Sequence, residues 1–191
     1  MPQLLGRHLT LQDFCTCTET YQKFSEEISS SPTNEESLVA LADLAVNILD
    51  PVIGHFGPER FHLTYGFCSH DLRRRLQRKD PETGRPHGRV APRLDQHMAH
   101  ELGKDGTPYC KRLGAACDFK VEGENTREVL RWIVDQALPF DRAYYFGPNR
   151  ALHISYGPEH SRYICAFNQS NVPEQKSVAD LVQLAEERYE S

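Results

Sequence analysis

Apolar residues fall at Leu38, Leu41, Leu44, Ala45, Ile48, Leu49 and Val52, close to the period of a helix with one buried face. So apolar a helix must be covered, and the rest of the chain has to supply the surface that covers it. Later segments offer one. Phe61-His62-Leu63-Thr64-Tyr65 alternates as a strand and is ended by Gly66. Ala115 to Val121, Arg142 to Phe146, Ala151 to Tyr156 and Ser161 to Phe167 read the same way. Helices come first and most strands cluster later, the order of an α+β fold with a mostly antiparallel sheet and helices packed against it. At 191 residues the chain is expected to form a single domain, 1–191.

Local signals set the other boundaries. Thr10-Leu11-Gln12-Asp13 opens a helix capped by Thr10 and expected to run to about Phe24. Ser29 to Asn34 is a polar break that offers the next cap, and Pro51 is expected to kink the long helix or restart a turn ending near Gly57. Ser69-His70-Asp71 opens a short basic helix through about Gln77. Residues 79–93 read as loop, Asp95 to about Leu102 as a helical turn, and Gly103 to Pro108 as loop again. Thr126 to Leu138 fits a capped amphipathic helix, and Val178 to Tyr189 a closing one.

Met1 to Arg7 is too short and too polar for a signal peptide, so six cysteines point to reduced thiols and a cytoplasmic setting. No apolar run approaches the roughly 20 residues of a membrane span, and no membrane partner is expected. Cys15-Thr16-Cys17 lacks the spacing of a zinc knuckle or redox pair and reads as helix positions. The net charge of −5 conceals a basic run, with Arg73, Arg74, Arg75, Arg78, Lys79, Arg85, Arg89 and Arg93 set against Asp71, Asp80 and Glu82. Arg74, Arg78, Arg85 and Arg89 are candidates to bind an anion, the plainer reading being a solvated helix end and loop. The stretch has no aromatic side chain to stack on bases, which weakens a nucleic-acid reading.

Asp118 sits on a strand among Ala116, Cys117 and Phe119, where an unpaired buried carboxylate costs several kcal/mol. A cation or a hydrogen-bond partner is expected there. Around it, several segments follow one another in a telling order. They are His8 to Phe14, Leu41 to Pro51 with Phe56-Gly57-Pro58, Leu63 to Ser69, Gly114-x-Ala116-x-Asp118, and Leu152-His153-Ile154-Ser155. This arrangement resembles the zinc D-alanyl-D-alanine carboxypeptidase family, within the Hedgehog/DD-peptidase fold, over most of the chain.

The resemblance implies a zinc ion held by His97, Asp118 and His153, with one coordination position left open. The family motif is Ser-x-His-x-x-Gly-x-Ala-x-Asp, and here Lys111 stands at the histidine position. Gln96-His97 matches the family's Gln-His step across a fourteen-residue insertion. Two inserted segments are therefore expected, a basic one at about 78–95 and another at about 98–111. On a helix His100 would share a face with His97, so either is open as the first ligand. The position of the family's glutamate base holds Phe146, and that of its arginine holds Cys68. Glu101 is the candidate replacement base, its plainer reading being a solvated charge on the inserted loop. Cys68 reads as a small buried substitute or an activated thiol. Cys110 and Cys117 suit zinc by type, but Cys117 alternates with Asp118 and should face the other way.

Function divides three ways. A divergent zinc-dependent hydrolase of peptide or amide bonds uses the three ligands with Glu101 as base, on a peptide-like or anionic small molecule. A second reading keeps fold and metal, has lost peptidase activity, and binds a nucleotide, nucleic acid or phosphorylated partner through the arginine-rich segment. The third is an interaction protein without metal. Losing a general base removes about 10²–10⁴-fold in rate and losing an oxyanion stabiliser about 10²–10³-fold, so the family's usual mechanism is not expected. Hydrolase is the expected class.

Overall fold

The computed structural model describes residues 3–87, 96–167, 173–176 and 180. Six strands, β1 (Phe61–Tyr65), β2 (Ala115–Val121), β3 (Arg142–Tyr145), β4 (Leu152–Tyr156), β5 (Tyr163–Phe167) and β6 (Pro173–Lys176), form one sheet in the order β1-β2-β4-β3-β5-β6. Neighbours are antiparallel except β3 and β5, which run parallel. The result is a mixed α/β structure with a mostly antiparallel sheet, and β6 is a strand that the periodicity did not announce. The closing helix expected at Val178 to Tyr189 lies outside the described residues, apart from Asp180.

The helices are α1 (Leu11–Thr16), α2 (Glu19–Lys23), α3 (Glu35–Leu44), α4 (Asp50–Phe56), α5 (His70–Gln77) and α6 (Thr126–Asp135). Thr10 caps α1 in a reciprocal box with Asp13. The expected helix to Phe24 is split instead. The Thr16 hydroxyl bonds back to the Gln12 carbonyl at 2.8 Å, and Thr18 starts α2 by accepting from the Tyr21 N–H. Pro51 does not break the long helix either. A π-helical turn, Ala45–Leu49, joins α3 to α4, and the Asp50 N–H reaches back to the Ala45 carbonyl. That widened turn absorbs the donor Pro51 lacks.

The continuous helix Glu35–Phe56 is long and apolar enough, with a mean hydropathy of 1.6, to meet the length and composition of a membrane span. This corrects the expectation that no run would. Its apolar face is spent inside the protein, where Leu41, Leu44, Ile48, Leu49 and Val52 share one buried cluster with Cys117, Phe119, Leu152 and Ile154 of β2 and β4. A second, smaller cluster of Ile28, Cys68, Leu72, Leu76 and Met98 lies under α5.

At the start of β2 the chain runs so close to β4 that no side chain fits. Gly114 has φ +103°, and a Cβ there would lie 2.0 Å from the Tyr156 carbonyl oxygen. Gly114→Ala is expected to cost about 2 kcal/mol, read as a lower denaturant midpoint with an unchanged slope.

Candidate metal centre

Strand register assembles most of the site. The antiparallel pairing of β2 and β4 sets Asp118 opposite His153. Across β1 the partner of Asp118 is Tyr65, after a bulge between Leu63 and Tyr65, and across β3 the partner of His153 is Tyr144. Side chains alternate along a strand, so these four share one face, turned away from the long helix, while Cys117, Phe119, Leu152 and Ile154 point into the core. Tyr144 lies flat on His153, with ring centroids 4.6 Å apart and 11° between planes. Sequence reading missed Tyr65 and Tyr144, although strand alternation already placed them on the faces of their neighbours.

His97 arrives from outside the sheet. Residues 97–100 form tight turns rather than the expected helical turn, with φ of 38° at Gln96 and 45° at Ala99. The Gln96 carbonyl accepts from the Ala116 N–H at 3.1 Å, and the His97 carbonyl accepts from the Cys68 N–H at 2.9 Å. The turn is thereby stitched to β2 on one side and to the segment after β1 on the other. The His97 ring packs edge-on against Tyr65 at 4.6 Å and against His153 at 5.0 Å.

Hydrogen-bond roles follow from chemistry. His97 Nδ1 lies 3.0 Å from the Gly66 carbonyl oxygen, which can only accept, so Nδ1 carries the proton. Its Nε2 lies 3.4 Å from Asp118 Oδ1 and donates there when the ring is protonated, or turns a lone pair toward the cluster when the ring is neutral. His153 Nδ1 lies 2.8 Å from the same oxygen. Both imidazoles are 4% exposed, whereas the Asp118 side chain is 27% exposed. Burial pushes the Asp118 carboxyl up, but the charge of His97 and hydrogen bonds from His153 and His97 outweigh it and hold the group well below the usual carboxylate range.

Two ring nitrogens and a carboxylate oxygen within 4.8 Å of one another meet the donor types and spacing of a zinc-like ion. Ligand atoms about 2.0–2.2 Å from a tetrahedral ion lie roughly 3.3 Å apart. The Gly66 carbonyl holds His97 Nδ1, as outer partners of metal-bound histidines do, and so orients the ring with Nε2 toward Asp118. His153 Nε2 is buried with no hydrogen-bond partner among the described residues. The residues fit the group.

His100 is occupied elsewhere. Its Nε2 accepts from the Gly114 N–H at 3.0 Å and its Nδ1 faces Glu36 Oε2 at 3.3 Å, and it is His97, not His100, that joins Asp118 and His153 in the cluster. Glu101 is neither solvated nor part of the cluster. It is 0% exposed and accepts from the Thr33 N–H (3.1 Å), the Thr33 hydroxyl, the Asn34 N–H (3.1 Å) and the Ser37 hydroxyl (2.9 Å). His70 Nε2 adds a contact at 3.0 Å. Its carboxylate ties down the start of α3. Asp141 is 2% exposed and held by Ser161 and Gln96.

Cys68 is buried in the smaller core beneath α5. Cys117 lies in the main core, and burial pushes its thiol well up. Burial, opposed by a backbone hydrogen bond at Gly66, lifts the Cys17 thiol to about 11. Phe146 stacks on Phe167 at 4.7 Å. Among the arginines, Arg74 pairs with Asp71 on α5. Arg78 and Arg85 are exposed on a small hairpin closed by His87 N–H to the Arg78 carbonyl (2.9 Å) and Asp80 N–H to the Arg85 carbonyl (2.7 Å). Arg89 lies outside the described residues.

Comparison with family models, curated proteins and solved structures returns no match.

Two outcomes are expected. His153→Ala and Asp118→Asn should each reduce bound zinc, measured by elemental analysis, from one equivalent to near none. They should also abolish the rise in melting temperature that zinc gives the parent protein, about 2.7 kcal/mol at a hundredfold excess over Kd. Glu101→Ala strands several donors and should cost about 3 kcal/mol or more in equilibrium unfolding, an effect that a solvent-facing base would not have.

Proposed function

We propose that this chain is a divergent relative of the zinc D-alanyl-D-alanine carboxypeptidases, with a Hedgehog/DD-peptidase-like fold, that hydrolyses a peptide or amide bond in a small substrate. One observation carries the reading: His97 Nε2 and His153 Nδ1 converge on a single oxygen of Asp118. These three residues would hold the ion. A divalent zinc-like ion bound there polarises a carbonyl and lowers the pKa of a bound water. His97 is oriented by the Gly66 carbonyl, and Tyr144 covers the flat face of His153. Six cysteines, none in a disulfide, support a reducing, cytoplasmic setting.

A second reading is favoured by the fate of the acids. Asp118 is the sole carboxylate of the cluster among the described residues, and Glu101 is engaged at the start of α3. A protein of this build, short of a general base, holds the metal and binds an anionic ligand without turnover. The exposed hairpin with Arg78 and Arg85 is the surface for such a ligand.

The discriminating experiment incubates zinc-loaded protein with D-alanyl-D-alanine and peptidoglycan-like peptides and measures released amine. The hydrolase reading expects slow turnover, about 10²–10⁴-fold below that of an enzyme with its base in place, and loss of it with a chelator or with Asp118→Asn. Zinc at one equivalent with no cleavage of any substrate selects the second reading. Anion binding that falls steeply with salt, and falls again in Arg78→Ala with Arg85→Ala, supports that reading further.

A further inference from the structure

A groove of about 660 Å³ opens between α3 and the chain just before β2 and just after β4, and none of the three metal-cluster residues lines it. Glu35, Val39 and Asp43 of α3 form one wall, and Leu113, Tyr156 and Pro158 stand on the other. Among the described residues five large apolar side chains are left exposed, and two of them, Val39 at 62% and Leu113 at 49%, line this groove from opposite sides. Apolar surface gathered in this way marks a place where something docks. The far wall is set before anything binds: a Cβ at Gly157 would lie 2.5 Å from the Leu113 carbonyl oxygen, so the two chain segments already touch through their backbones. Charge in the groove has one sign, since no Lys or Arg lines it. Glu36 is engaged by His100 at 3.3 Å and is left out of the count. The exposed carboxylates of Glu35 and Asp43 make no hydrogen bond or ion pair among the described residues.

Spacing selects the shape of the occupant. Val39 and Asp43 follow Glu35 at intervals of four residues, which places them about 6 and 12 Å further along the helix axis. In an extended peptide every second side chain shares a face, and residues two and four positions on lie about 7 and 13 Å along the chain. We propose that this groove docks an extended segment of a partner protein with the pattern basic-x-apolar-x-basic. The apolar side chain sits between Val39 and Leu113, and the two cations face Glu35 and Asp43. Complementary charge steers the segment in and fixes its register, and the apolar residue between supplies the buried contact. A preformed wall leaves little backbone to order on binding. The inference stands apart from the metal-centre reading and from the arginines of α5 and the hairpin.

Fluorescence anisotropy of the full chain with a labelled peptide containing Lys-Ser-Leu-Ser-Lys tests it. The expected result is that this peptide binds, that Glu-Ser-Leu-Ser-Glu does not, and that Lys-Ser-Ser-Ser-Lys binds about tenfold more weakly. Glu35→Gln and Asp43→Asn should each weaken binding about two- to fivefold, and affinity should fall as salt rises. Val39→Arg sets a cation in the middle of the groove and should abolish binding. Leu113→Ser, expected to weaken it about tenfold, serves as the readout if Val39→Arg does not fold. Glu26→Gln, at an exposed acid that does not line the groove, should bind as the parent does. No binding by the parent protein, equal affinity for the leucine and serine peptides, or equal weakening by Glu26→Gln and Glu35→Gln overturns the proposal. Spermidine that displaces the peptide at equal affinity assigns the groove to a free polyamine, and self-association lost in Val39→Arg assigns it to a second copy of this chain. Either outcome also overturns the peptide.

Discussion

One carboxylate oxygen organises the site. Asp118 Oδ1 stands 2.8 Å from a nitrogen of His153 and 3.4 Å from a nitrogen of His97, and neither distance is set locally. The first depends on two strands meeting in register. The second depends on Gly66, whose carbonyl turns the His97 ring. Gly66 is itself pressed against the end of α1, where a Cβ would lie 2.3 Å from the Phe14 carbonyl oxygen. The Phe67 N–H donates to that same oxygen at 2.9 Å. A path of close contacts thus runs from the first helix through Gly66 and His97 to the centre of the sheet.

Two buried or half-buried acids have been given different work by their surroundings. Asp118 faces imidazole nitrogens and stays ionised with one oxygen shared between them. Glu101 faces backbone N–H groups and hydroxyls that close the start of α3, which is the work of a structural anion at a helix N-terminus. Both sit near segments that the motif reading treated as chemistry. Their partners, more than their spacing along the chain, separate them.

Much of the fold was legible where the signal is local. The Thr10 cap, the period of the long helix and the alternation of β1 to β5 each depend on a few neighbouring residues, and each is found. The failures have tertiary causes. Pro51 is tolerated because a π turn forms just before it. β6 (Pro173–Lys176) reads as polar and gains its strand character from pairing with β5. The three candidate ligands, His97, Asp118 and His153, were legible from the resemblance, and the structure brings all three together. The choice between His97 and His100 was not, since it turns on left-handed backbone at Gln96 and Ala99 and on the N–H of Gly114. Tyr144 was legible only as a strand position, because its stacking on His153 depends on the pairing of β3 with β4.

The pairing of Asp118 with His153 on adjacent antiparallel strands has a consequence for assembly. A slip of a single residue between β2 and β4 would turn one donor to the opposite side of the sheet and replace it with an apolar neighbour, Cys117 or Ile154. There is no half-formed version of this cradle. A cation bound there would therefore report that the two strands have aligned, and mispaired chains would be left out of the bound population without any separate checkpoint.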